Sequence, residues 1–255
     1  MLGASLATTY VGLLLLIPLF ALIGHAFENG WGTFWTAVVQ TESLNAIGLT
    51  LMCACVAATV NAVMGLATAW VLVRDRFPGQ ALLNSLIDLP FALPTVVAGV
   101  TFLTLYGPMS PVHVNISGTW IGVTVAIMFV TLPFTVRSVQ PVLESLHFDA
   151  EDAAATLGAS SWRAFRTVTL PALMPALLTG TGLAFARAIG EYGSVVFISG
   201  NLPYHSEVAS SYIYSLMGSN QVGSASAVAI ALLVIALSFL AMVNLVARRL
   251  ARRRG

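Results

Sequence analysis

The chain has 255 residues, 58% of them hydrophobic and only 8% charged, with a mean hydropathy of +0.89. A soluble domain needs a polar surface and carries roughly 25% charged residues, so this composition excludes one and requires a bilayer to solvate the apolar side chains. The net charge is only +1, yet all eleven basic residues are arginines; without lysine the chain can hold neither a Walker A phosphate loop nor a pyridoxal Schiff base.

Windows of about 20 apolar residues predict six membrane-spanning helices. The first covers residues 6–27. It lacks a basic segment before it and a clear small-residue cleavage site after it, so it reads as a span and not as a removable signal. With the outer loop that follows, it makes up an N-terminal unit, residues 1–43, ahead of a core of five helices, residues 44–255. The second span, 44–73, is long enough to tilt. It holds Cys53 and Cys55, which a helix points roughly 200° apart, as packing residues and not as a disulfide or metal pair. Asn61 in the same span reads as a helix–helix hydrogen bond. The third span, 81–107, places Asp88 near its inner end. The fourth, 119–136, is short, and Pro133 is expected to bend it. The fifth and sixth cover 172–198 and 225–247.

The arginines set the expected orientation. Arg74 and Arg76 fall between spans two and three, and Arg137, Arg163 and Arg166 between four and five. Arg248, Arg249, Arg252, Arg253 and Arg254 follow span six. Ten of the eleven thus lie on one side, which assigns that side and both termini to the cytoplasm. The opposite side carries Glu28, Glu42 and Glu207 but no fixed cation. The C-terminal cluster reads as an orientation and headgroup anchor on membrane lipids.

Arg187, the remaining arginine, is expected about 22 Å along span five at 1.5 Å per residue. Glu191 follows at i+4 on the same face. Two readings stand for such a pair: a structural ion pair, or a cation that eases an anion through while the acid holds it in place. Small residues in two rows (Gly180, Ala184 and Ala188; Gly182, Ala186 and Gly190) let neighbouring helices approach. Asp88 is expected roughly 10 Å from Arg187 in height, so no pairing between them is expected. The histidines, at 25, 113, 147 and 205, lack zinc-site spacing, and neither Gly-x-Ser-Gly nor His-Glu-x-x-His occurs, which argues against an intramembrane protease. No feature points to nucleic acid.

The segment from Arg137 to Pro171 is the one long connection on the arginine side. Asp149 can cap a helix beginning at Ala150, whose acids Glu151 and Asp152 complement the helix dipole. Gly158 offers a permissive corner, and Ser160 or Ser161 can cap a second short helix carrying Trp162, Phe165 and Val168 toward Pro171. Such a pair is either a rigid knob for a partner's groove or two amphipathic helices resting on headgroups.

The string EDAAATLGASSWRAFRTVTLPALMP closely resembles the EAA loop of ABC importer permeases. Asp152-Ala153-Ala154 is followed by three residues and Gly158, and then, after nine intervening residues, by Val168-Thr169-Leu170-Pro171. Asp replaces the usual Glu, and Val the usual Ile, both conservatively. The resemblance implies that Glu151, Asp152, Ala153, Ala154, Gly158 and Pro171, within a loop at about 144–171, couple the chain to a separate ATPase. RDRFPGQALLNSLIDLPFALPTVVAG, residues 74–99, is similar to the core of oxyanion importer permeases. ARAIGEYGSVVFISGNLP, residues 186–203, resembles the T-type permeases of sulfate/thiosulfate importers. Molybdate or tungstate importer permeases, which more often read GEFG and AGN-x-PG there, are the neighbouring alternative.

The implied fold is all-α: a type I ABC importer permease (MetI-like) with six transmembrane helices, multi-pass in a bacterial plasma membrane. The implied partners are a W-type sister permease in a heterodimer, two copies of an ABC ATPase and an extracytoplasmic sulfate-binding protein. ATP and Mg belong to the ATPase, so no cofactor or metal is expected on this chain and the chain is not itself an enzyme. Arg187, Glu191, Tyr192 and Asn201 are the candidate anion pathway or gate. A passive channel would not require the EAA loop.

Overall fold

With no water in a bilayer to satisfy backbone N–H and C=O groups, apolar segments are driven to helix. The computed structural model describes the backbone of residues 2–146 and 149–252 and the side chains of 5–146 and 151–250; among these the regular structure is helical, without a strand. In chain order the elements are α1 (Leu2–Phe27), α2 (Gly30–Val39), α3 (Thr41–Arg74), α4 (Gln80–Ile87), α5 (Leu89–Ala92), α6 (Thr95–Tyr106), α7 (Trp120–Ser145), α8 (Asp149–Thr156) and α9 (Ser161–Ala164). A π-helical turn (Phe165–Thr169) then leads into α10 (Leu170–Ile189), α11 (Val196–Ser199), α12 (Ala209–Gly218) and α13 (Val222–Arg252). The expected cap at Asp149, His147, and the side chains of Arg252, Arg253 and Arg254 lie outside the described residues.

The core is built on α3, α7 and α10. Between helices already in lipid, close approach of small residues and hydrogen bonds carry the packing. On α3, Ala46, Ala54, Ala57, Asn61, Gly65 and Ala69 recur at helical spacing and are buried, while Val63 and Met64 on the other side are exposed. Asn61 has the helix–helix role expected of it: Nδ2 donates to Met128 O and Thr131 Oγ1 on α7, both at 2.9 Å. A β-carbon at Gly65 would stand 2.8 Å from Thr135 Cγ2, and one at Gly180 2.7 Å from Ser138 Cβ, so only glycine lets α3 and α10 approach α7 this closely. Gly182, from the other small-residue row, lies against Val243 of α13. A second cluster, including Leu72, Ile87, Val139, Leu143 and Leu173, fills the arginine-rich end. α1 is peripheral, against α13 and α2, with most of its apolar side chains exposed. Cys53 is buried and Cys55 exposed on α3, and both thiols are free.

The helices α1, α3, α7, Ser161–Ile189 and α13 are long and apolar enough to cross a membrane. The remaining expected span is interrupted. Pro90 and Pro94 lack amide hydrogens and disfavour helix in the residue before them, and Leu93 is extended at φ −81°, ψ 133°. This leaves α6 with 12 residues, roughly 18 Å, too short to cross unaided. Residues 172–198 are interrupted as well: α10 ends at Ile189 with Gly190 as its cap, and helix resumes at Val196. The fourth span is longer than expected, since α7 continues through Pro133 and Pro141 to Ser145. Arg137 therefore belongs to a helix and not to a connection, and Arg187 is not the sole arginine in the body of a spanning helix.

Candidate functional site

The segment after α7 forms the glycine corner and the second, Ser160-capped helix that its sequence suggests. α8 ends in a paired closure in which Ala159 N donates to Ala154 O at 3.0 Å and Gly158 N to Ala155 O at 2.9 Å. This closure needs a left-handed residue, and Gly158 supplies it at φ +83°. Ser160 then caps α9, its hydroxyl accepting from Arg163 N at 3.4 Å. The π-helical turn that follows has its cause in Pro171. The proline ring removes one amide and crowds the carbonyl four residues back, and the helix relaxes so that Leu170 N reaches Phe165 O, five residues away.

The segment's acids divide into two directions. Asp152 and Ala153 face outward and are exposed, with Ala154 half-buried behind them. Glu151 turns inward: its Oε1 accepts from Arg74 Nη2 at 3.0 Å and from Thr169 Oγ1 at 2.6 Å. Arg74 also lies over the Trp70 ring at 5.5 Å, and Trp70 meets Phe165 edge-on at 5.1 Å. The sequence marked Arg74 only as an orientation signal; nothing local betrays a partner so far along the chain.

Asp88 and Arg137 form a second ion pair that the sequence did not foretell. Arg137 Nε and Nη2 donate to the two carboxylate oxygens of Asp88 at 2.8 and 2.6 Å. Nη1 reaches Asn84 Oδ1 and Gln140 Oε1 at 2.8 and 2.6 Å, and Nη2 reaches Asn84 O at 2.8 Å. Every guanidinium N–H is thus committed, which makes Arg137 a pin between the broken third span and α7.

Arg187 differs. Its Nη1 lies 2.6 Å from Glu191 Oε2, with the arginine side chain 36% exposed and the glutamate 1%. Glu191 sits just past the end of α10 and not within it, yet the expected pair forms. The other carboxylate oxygen accepts from Ser194 N at 2.9 Å, and Glu191 O accepts from Ser210 Oγ at 2.6 Å, so this residue also shapes the turn after α10. Tyr192 stacks obliquely on Tyr214 at 5.3 Å. Asn201 stands apart, at φ +48° in a turn made with Ser199, and no hydrogen bond links it to Arg187 or Glu191. The two interrupted spans meet here. A β-carbon at Gly193 would collide with Thr95 Oγ1, and one at Gly99 would fall 2.8 Å from Gly193 O.

At the opposite end from the arginines, Tyr204 donates to Glu42 Oε1 at 2.6 Å, which raises the phenol's pKa. Partial burial pushes the Glu207 carboxyl up, against a weak hydrogen bond from Ser215. Among the described residues no three His, Cys, Asp or Glu side chains converge as a metal site.

A family model described as binding-protein-dependent transport system inner membrane component matches residues 61–252. The sulfate transport system permease protein CysT of Escherichia coli (strain K12) is 42% identical, over 99% of this chain and 93% of its own length. Among solved structures, a bacterial ABC transporter involved in the import of the acidic polysaccharide alginate superimposes with a TM-score of 0.79. It is 20% identical and the match covers 97% of this chain and 95% of that one. The same transporter in complex with an alginate pentasaccharide-bound periplasmic protein matches with a TM-score of 0.79 at 18% identity, over 97% of this chain and 94% of that one. These structures share the fold.

Proposed function

Since the chain belongs to the family of binding-protein-dependent transport system inner membrane components, we propose that it is the membrane-spanning permease subunit of an ATP-driven importer of sulfate and thiosulfate. The near full-length 42% identity to a sulfate permease carries this reading. It is a translocation subunit and not an enzyme. ATP and its Mg are assigned to two copies of a partner ATPase, a role this lysine-free chain leaves open to them. The arginine-rich end, with both termini, faces the cytoplasm. The outward side of α8, with Asp152, Ala153 and Ala154, docks into the ATPase, and Gly158 and Pro171 set the shape and root of the docking element. A W-type sister permease completes the pathway, and an extracytoplasmic protein delivers the anion; a periplasmic protein bound to a transporter of the same fold supports that arrangement.

A dianion crossing a region of low dielectric needs a compensating charge that does not trap it. Arg187 suits that task, being one-third exposed and ion-paired with the buried Glu191. Arg137, with its donors used up, does not. Tyr192 borders the turn that Glu191 organises, and Asn201 shapes a turn farther along.

The test is uptake of labelled sulfate and labelled molybdate by cells deleted for this chain, with and without its restoration. Restoration is expected to return sulfate uptake. Return of molybdate uptake without sulfate would overturn the reading.

A further inference from the structure

The coupling segment poses a mechanical problem. α8 has eight residues, too few to hold a helix on its own in water, and most of its surface is exposed. Its main neighbours by packing are α9 and the π-helical turn, while beside Trp70 of α3 a cavity of about 220 Å³ opens, bordered by Glu151, Asp152, Ala155 and Phe165. Among the described residues, little apolar contact holds α8 against the long helix beside it. One carboxylate oxygen does: Glu151 Oε1 takes a proton donor from the end of α3 (Arg74) and another from the root of α10 (Thr169). The donors are sheltered, Arg74 at 7% exposed and Thr169 at 2%, while the Glu151 side chain is 24% exposed, so water reaches the carboxylate more than its partners, and the bond keeps the strength of a charged acceptor.

We propose that Glu151 is a positioning residue that locks α8 to α3 and α10 together, so that displacement of α8 by a docked ATPase moves both helices as one body. The inference rests on the importer reading for the source of the push. Without the lock, α8 is free to swing about the Gly158 corner, and ATP hydrolysis proceeds with less of its motion reaching the spans. Asp152, one residue on, is exposed at the rim of the same cavity and takes no part in the lock.

The experiment uses the full complex of permease, ATPase and binding protein in proteoliposomes, with Glu151→Ala, Glu151→Gln and Asp152→Ala compared. Sulfate moved per ATP hydrolysed and ATPase retained on purification are measured together. Glu151→Ala is expected to keep its ATPase within about twofold while sulfate per ATP falls at least about tenfold, since two hydrogen bonds to a charged oxygen are lost. Glu151→Gln keeps an acceptor oxygen for both donors and should recover a substantial part of the ratio. Loss of ATPase from Glu151→Ala in step with Asp152→Ala would overturn the proposal, because Glu151 would then be a docking residue. A normal ratio in Glu151→Ala would also overturn it. Amide hydrogen exchange over residues 149–159 of the purified permease decides the lock whatever the cargo: about tenfold faster exchange in Glu151→Ala supports it, and unchanged exchange refutes it. Absence of sulfate transport by the unaltered complex would instead count against the importer reading alone.

Discussion

Substitutions at Gly158 separate shape from chemistry in the coupling segment. Gly158 sits at φ +83°, and nothing lies within 4 Å of where its β-carbon would be, so a side chain there meets no neighbour and the whole penalty falls on the backbone. An ordinary L-residue in the left-handed region costs roughly 1–2 kcal/mol, an asparagine less, and a β-branched residue more. At 1.4 kcal/mol per factor of ten, Gly158→Ala should lower the weight of the closed corner against its alternatives by about tenfold. Apparent affinity for the ATPase then falls by up to the same factor. Gly158→Asn should lose less and Gly158→Val more. The assay titrates purified permease with the ATPase and follows sulfate uptake at matched abundance. The order Gly, Asn, Ala, Val in both readouts is the expected result. Equal losses in Asn and Ala, or binding by all three variants at the parental level, would refute the backbone argument.

Replacing Arg187 with Met and Glu191 with Gln together should preserve assembly and ATPase activity but strongly reduce sulfate flux. Arg187→Met alone strands a carboxylate that is 1% exposed, at a cost of about 3–5 kcal/mol, and should lower complex yield as well. Full flux in the double variant would remove Arg187 from the pathway. Arg137→Lys should lower the thermal midpoint of the purified permease by several degrees, because an ammonium cannot reproduce a fork that donates to Asp88, Asn84 and Gln140 at once. An unchanged midpoint would mean that the pin contributes nothing.

What the sequence made legible follows how far along the chain each cause reaches. Gly158 was readable because a helix end needs a left-handed residue within one turn, and the apolar windows were readable because each is a property of about 20 neighbours. The interruption at Pro90 and Pro94 was in plain view, yet a hydropathy window averages over it. Asp88 with Arg137 and Arg74 with Glu151 depend on how helices are rotated against one another, which no local pattern encodes. Glu151 and Asp152 looked alike as acids of one motif; only the 100° between successive residues on a helix brings one within reach of Arg74 and Thr169 and leaves the other exposed. Asn201 joined the candidate pathway through its place in a motif, whereas its side chain serves its own turn.

The meeting of Gly193 with Thr95 has a consequence for biosynthesis. During synthesis, residues 80–106 enter the membrane long before residues 190–195 exist. On arrival the earlier stretch is a broken helix whose 12-residue remainder cannot reach across the lipid. Lipid offers no partner to backbone groups freed at a break, so that stretch cannot settle as a finished span. The backbone at Gly193 and Ser194 that closes against Thr95 and Gly99 is delivered with span five. Insertion in chain order would thus leave the third crossing to be completed by a piece of chain about ninety residues farther on.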